Sequence, residues 1–171
     1  MWRYEGHLTA SSDYVAFVEA NGDHSETILR CFDSDNQEEV WRYIYQQGEV
    51  LREESDEIGS RIRNIQIKDD RLFVIGGPIE IRDITTGEVL EADYTTNAGG
   101  IHNVVTDNAI YTANRERVKK RSKDLSEEWT HTVTTSVTAT PKPRVGLSDS
   151  QNGEKIIIPT AAGIQCLNQA T

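Results

Sequence analysis

The sequence predicts an all-β fold, and three observations support that prediction. Short apolar segments are separated by turn residues about every eight to twelve positions, no segment has the periodicity of a long helix, and the strand-and-turn pattern repeats. With 171 residues, the chain is expected to be a single domain over residues 1–171. The hydrophobic fraction of 36% is low, which favours thin sheets over a thick helical core.

The predicted strands follow one another with polar turns between them. Asn21-Gly22 and Asp69-Asp70 are typical turn pairs, because such residues tolerate the positive φ of a tight reversal. Residues 46–60 carry several carboxylates and no β-branched run, so they are predicted to be an inserted acidic loop. The predicted strands span residues 2–4, 13–19, 27–32, 40–45, 62–67, 72–75, 79–83, 89–94, 102–105, 110–113, 118–121, 129–133, 145–147, 156–158 and 164–167.

A repeat consists of a strand, a polar turn and a second strand that opens on a tryptophan or its equivalent. The opening positions are Trp2, Trp41, Leu90 or Glu91, and Trp129, which gives a period of about forty residues, stretched to about fifty by the acidic loop. Four strands in each period predict the blades of a β-propeller. The four four-stranded blades are expected at roughly 7–45, 61–94, 101–133, and 144–171 together with 1–6.

The turns of this repeat resemble those of the pyrroloquinoline-quinone-like (WD40-like) propeller family. That family has an Asp, then Thr-Gly three residues later, then Trp four residues on. Asp83-x-x-Thr86-Gly87 matches the turn, with Glu91 in the place of the Trp, while Asp33 and Trp41 keep the spacing without Thr-Gly. The resemblance implies structural, blade-docking roles for six residues: Trp2, Trp41, Trp129, Asp33, Asp83 and Gly87.

The resemblance also bears on activity. Quinone-dependent dehydrogenases of this family need stacking aromatic residues around the quinone, a calcium site with a catalytic Asp and often a vicinal cysteine pair. None of these is recognisable in the sequence, so the resemblance implies a non-catalytic scaffold without a cofactor. Propellers host many unrelated functions, and the fold alone does not choose among them.

Composition limits the partners and the compartment. The net charge of −10 argues against general nucleic-acid affinity. No apolar run approaches the roughly 20 residues of a membrane span, and the first residues do not resemble a signal peptide, so a cytoplasmic protein without membrane attachment is expected. Cys31 and Cys166 have no metal or redox spacing and lie in apolar strands, which predicts buried free thiols.

Two surface features are candidate sites. The histidines have no metal-binding spacing, so no metal is predicted, and the weak candidates for a cation site are Asp23, His24, Glu53 and Asp56. One basic run stands out in the acidic chain: Arg115, Arg117, Lys119, Lys120, Arg121 and Lys123. Alternation along a strand would send these side chains to both faces. The run is either a solvated outer hairpin or a docking patch for an acidic partner.

The predicted function is therefore a non-enzymatic interaction or scaffold module that presents loops to a protein partner. The alternative is a sensor that binds a small ligand or a cation in the propeller channel or at the acidic loop. These hypotheses differ in what they bind, because the first requires a protein and the second a small molecule.

The chain ends generate a further expectation. Residues 134–171 have room for three strands, so residues 2–6 are predicted to pair with residues 164–167 and complete the last blade, because proteins cover exposed sheet edges. This clasp could form within one chain, as a four-bladed monomer, or between two chains. In the second arrangement, two chains of four blades form an eight-bladed homodimer with twofold symmetry.

Overall fold

The computed structural model describes residues 3–20, 26–46, 62, 64–76, 78–94, 102–113, 117–132, 146–148, 155–160 and 163–168. All the regular secondary structure in these residues is β. The strands are β1 Arg3–Ala10, β2 Tyr14–Ala20, β3 Glu26–Asp33, β4 Glu39–Gln46, β5 Asn64–Lys68, β6 Arg71–Ile75, β7 Ile79–Asp83, β8 Val89–Asp93, β9 His102–Val105, β10 Ile110–Ala113, β11 Arg117–Arg121, β12 Glu127–Thr132, β13 Gly146–Ser148, β14 Lys155–Thr160 and β15 Gly163–Asn168.

The strands form four antiparallel sheets in which neighbours in sequence are neighbours in space. The sheet orders are β1-β2-β3-β4, β5-β6-β7-β8, β12-β11-β10-β9 and β13-β14-β15, and we refer to these as the first to fourth sheets. The chain divides into two compact units, Met1–Ala98 and Gly99–Thr171, each of which holds two of the sheets. Every described link between adjacent strands is a hairpin connection, as expected for antiparallel sheets.

Local sequence explains the strands and their turns. In β3 the buried residues Leu29 and Cys31 flank the half-buried Arg30, as expected for a strand, and β6 is a continuous apolar run because both of its faces are buried. Asp69 and Asp70 connect β5 to β6 with φ values of 49° and 55°. Positive φ at both central residues is the geometry of a type I′ turn, whose twist matches the strands that it joins.

The main core of the first unit lies between the first and second sheets. Ala16, Leu29 and Cys31 of the first sheet are fully buried, and they belong to one cluster with Leu72 and Val74 of the second sheet. The sheets therefore stack face to face, and the alternation of β2 and β3 sets which side chains enter the contact. Cys31 is a buried free thiol, and burial raises its pKa to about 11.

The predicted closure of the last blade by the N-terminal strand is wrong. β1 is an edge strand of the first sheet, where Arg3 pairs with Ala20 and Tyr4 with Glu19. Residues 2–6 were predicted to complete the last blade because residues 134–171 have room for only three strands, but residues 3–10 form one strand that pairs with β2. A register irregularity lies between Tyr4 and Leu8, the stretch of β1 that contains Gly6.

Several other predictions fall outside the described residues. The acidic loop at 46–60 is described only at Gln46, the end of β4, and the side chain of Cys166 is not described. The prediction of a single domain, with the blade boundaries given above, stays a prediction. No helix in the described part of the chain is long and apolar enough to cross a membrane.

We expect Leu29→Ala to lower the free energy of unfolding by about 2–5 kcal/mol, because Leu29 is fully buried between two sheets and alanine would leave a cavity. The control is Leu90→Ala, which truncates a side chain that is 46% exposed and should change stability by about 0.5 kcal/mol or less. Urea unfolding measures both. Equal losses in the two variants would contradict the assigned core.

Candidate functional site

One indole group connects the first sheet to the second. Trp41 lies on β4, and its Nε1 donates a hydrogen bond of 2.7 Å to the carbonyl oxygen of Ile84. The ring also covers Gly87, so close that a Cβ at this glycine would lie 2.6 Å from Cδ2 of Trp41. Gly87 has a φ of 74°, a conformation that a side chain disfavours. The structure therefore places Trp41 and Gly87 at the contact between adjacent sheets.

The turn that receives the indole ring is built by Asp83. Its Oδ1 accepts hydrogen bonds from the backbone N–H groups of Thr85 and Thr86, at 2.8 and 2.9 Å. These hydrogen bonds lower the pKa of Asp83, the hydroxyl of Thr85 being the largest contributor. Asp33 plays the same part in the first sheet, where its Oδ1 accepts from Asp35 and Asn36. An Asx-type turn of this kind fixes the path of the chain between two strands.

The same geometry recurs in three sheets. Residues with positive φ follow the third strand of each sheet: Gln37, Gly87 and Leu125, at 61°, 74° and 64°. Each turn is followed by a register irregularity, after which Trp41 pairs with Cys31, Glu91 with Ile81 and Trp129 with Lys120. Trp41, Glu91 and Trp129 are therefore structurally equivalent.

Trp129 packs within the third sheet. Its ring centroid lies 6.4 Å from that of Tyr111, beside a buried cluster that includes Ala113 and Val118. The indole is half-buried. Trp2, the remaining tryptophan assigned to blade docking, lies outside the described residues.

Next to Trp41 the contact between the first two sheets contains a buried ionic cluster. Glu80 and Arg82, two residues apart on β7, form an ion pair of 2.7 Å with their side chains 5% and 2% exposed. The hydroxyl of Tyr45 donates to the same Glu80 oxygen at 2.6 Å. Arg82 also donates through Nη1 to the carbonyl oxygen of Gly87 at 2.8 Å. One guanidinium thus joins the ion pair to the turn beneath Trp41.

The environment of this cluster fixes the protonation of its members. Burial first, and then the negative charge of Glu80, raise the pKa of Tyr45 well above its usual range. Burial alone would lower the pKa of Arg82, but Tyr45 and Glu80 raise it above its usual value. Tyr45 therefore stays a hydrogen-bond donor and Arg82 a cation near neutral pH, and these two side chains hold a fixed arrangement.

Two tyrosines form the exposed edge of this cluster. The guanidinium of Arg82 lies 4.1 Å from the ring centroid of Tyr43, a cation–π contact, and Tyr43 is 39% exposed. Tyr94 is 55% exposed, and partial burial together with the charge and hydrogen bond of Glu80 raises its pKa. Leu90, on the preceding strand β8, is 46% exposed. We call Tyr43 and Tyr94 the aromatic rim.

A polar pocket of about 350 Å³ lies at the end of the same two sheets. It is lined by residues 10–14, residues 67–70 and Ile84, and its lining therefore includes Asp13, Asp69 and Asp70 together with Lys68. Across this part of the contact, the backbone N–H of Ile67 donates to the hydroxyl of Thr9 at 3.1 Å. Among the residues that the structure describes, no three His, Cys, Asp or Glu side chains are arranged to hold a metal ion.

The predicted basic patch is smaller than the sequence indicated. Lys119 and Lys120 form ion pairs of 2.7 Å with Glu127 and Glu128 of the neighbouring strand, which neutralise both charges. Arg121 is only 6% exposed, and its Nη1 donates to the carbonyl oxygen of Leu125 at 3.0 Å. Arg121 is therefore not part of an exposed patch, because it braces the turn of the third sheet as Arg82 braces that of the second.

The remaining members of the run and the cation candidates are placed as follows. Arg117 is exposed and Lys123 is half-buried. Arg115 and all four candidates for a cation site, Asp23, His24, Glu53 and Asp56, lie outside the described residues.

The ionic cluster is not among the sites predicted from the sequence. Glu80 and Arg82 alternate with Ile79 and Ile81, a pattern that is typical of a strand with one solvated face. A signal for it lay in a different strand of the sequence. Tyr43 and Tyr45 share the face of Trp41, so a polar partner for their hydroxyl groups was to be expected on the facing sheet.

Comparisons with known proteins define the fold. No family model matches the chain, and no curated protein matches its sequence. Among solved structures, the computationally designed protein Ika4 has a TM-score of 0.65 at 15% identity, over 98% of this chain and 96% of that one. The designed protein Ika8 has a TM-score of 0.64 at 15% identity, over 96% and 48% of the respective chains. BamB from Moraxella catarrhalis has a TM-score of 0.62 at 12% identity, over 94% and 48%.

These likenesses confirm the predicted all-β fold of the β-propeller type. At these identities they show the fold alone, and the chain spans about half the length of Ika8 and BamB.

We expect Gly87→Ala to lower the free energy of unfolding by roughly 2–4 kcal/mol, because it adds positive-φ strain and a clash with Trp41. The control Gln37→Ala, at the equivalent position of the first sheet, should cost about 0.5 kcal/mol or less. The double variant Gly87→Ala/Trp41→Ala should lose less free energy of unfolding than the sum of the two single losses, because the clash is absent without the indole ring. Additive losses in urea unfolding would contradict the close contact.

We expect Tyr45 to make the protein less stable in alkaline solution. Its pKa is higher in the folded chain, so its contribution is complete below the ordinary value of 10.0 and is lost as the pH rises above it. Tyr45→Phe should flatten the loss of stability between pH 10 and about 11.5, and should cost about 1.5–3 kcal/mol at pH 8 through the lost hydrogen bond to Glu80.

The matched control for this experiment is Tyr43→Phe, which removes an exposed hydroxyl from the same strand. Urea midpoints at four pH values measure the slope in each protein. Cys31, whose pKa is also raised, lowers the stability at alkaline pH equally in the wild type and in both variants. If the free energy of unfolding of Tyr45→Phe fell as steeply with rising pH as that of the wild type, the buried hydroxyl group of Tyr45 would not titrate as assigned.

Proposed function

We propose that the protein is a non-enzymatic interaction module, which uses a rigid stack of sheets to present a fixed surface to a protein partner. The observation that carries the proposal is the aromatic rim: Tyr43 and Tyr94 are 39% and 55% exposed above a buried ionic cluster. Exposed tyrosines on a rigid support are typical of the energetic centre of a protein interface.

The rim is held in place from below. Arg82 contacts the ring of Tyr43, and Glu80 contacts Tyr94, while both charges are fixed by each other and by Tyr45. A partner would therefore find these rings already positioned, and binding would cost little side-chain entropy. The groups with raised pKa values in this region, Tyr45, Arg82 and Tyr94, belong to the rim or hold it in place. This favours recognition over catalysis as the role of the region.

The test uses affinity capture with purified wild-type protein and the double variant Tyr43→Ala/Tyr94→Ala. We expect one partner to be retained by the wild type and by the control Leu8→Ala, which truncates an exposed residue on the other face of the first sheet. The double variant should weaken binding of that purified partner by at least tenfold, equivalent to about 1.4 kcal/mol. Equal affinities, or turnover of a substrate without any protein partner, would overturn the proposal.

The alternative is a sensor for a small cationic ligand, and the polar pocket favours it. Asp13, Asp69 and Asp70 outnumber Lys68 in the lining of the pocket, and a net negative lining suits an amine or guanidinium group. A ligand present at 100 times its Kd would stabilise the fold by about 2.7 kcal/mol. A thermal-shift screen of amines should then show a response in the wild type that Asp69→Asn/Asp70→Asn removes, and a flat screen would exclude this alternative.

A further inference from the structure

We draw no further inference here: the strongest candidate, the face of the first sheet on which Leu8 and Ile44 are exposed, carries none because nothing in the structure shows what covers it.

Discussion

The structure of the first unit depends on the close contact between Trp41 and Gly87. The indole ring of Trp41 can lie on the turn because Gly87 has no side chain. The hydrogen bond from Nε1 to the carbonyl oxygen of Ile84 sets where along the turn the ring lies. The distance between the two sheets at this edge is thereby fixed, and with it the depth at which Leu29, Cys31 and Leu72 meet. Interiors pack densely, so an error in this distance would be felt throughout the shared core.

The buried ion pair makes sense in relation to the same contact. Removing two charges from water costs more than their attraction usually returns, so such a pair is weak evidence for stability. Glu80 and Arg82 instead orient the two sheets and the turn, because they connect β7 to Tyr45 on the facing sheet and to the carbonyl oxygen of Gly87. Arg121 makes the equivalent bond to Leu125 in the third sheet, which indicates that an arginine at this position serves the turn and not the surface.

Sequence reasoning succeeded where a pattern is local and failed where a partner lies across the fold. The strands, the Asp83 turn and the equivalence of Trp41, Glu91 and Trp129 follow from alternation and spacing. The pairing of β1 was predicted wrongly because residues 134–171 have room for only three strands, which suggested that the N-terminal strand completes the last blade. Arg121 was assigned to an exposed patch because its neighbours are basic, and the ionic cluster was overlooked because alternating charges on one strand usually face solvent.

The turns of the three sheets keep one backbone shape while using different residues. Gln37, Gly87 and Leu125 all adopt positive φ, and only one of them is a glycine. The repeat is therefore recognised in the backbone conformation of its turns, which Asx hydrogen bonds and arginine side chains stabilise. It is much less evident in the amino-acid sequence. For a protein built in this way, similar proteins are found by comparing backbones, where aligning sequences finds none.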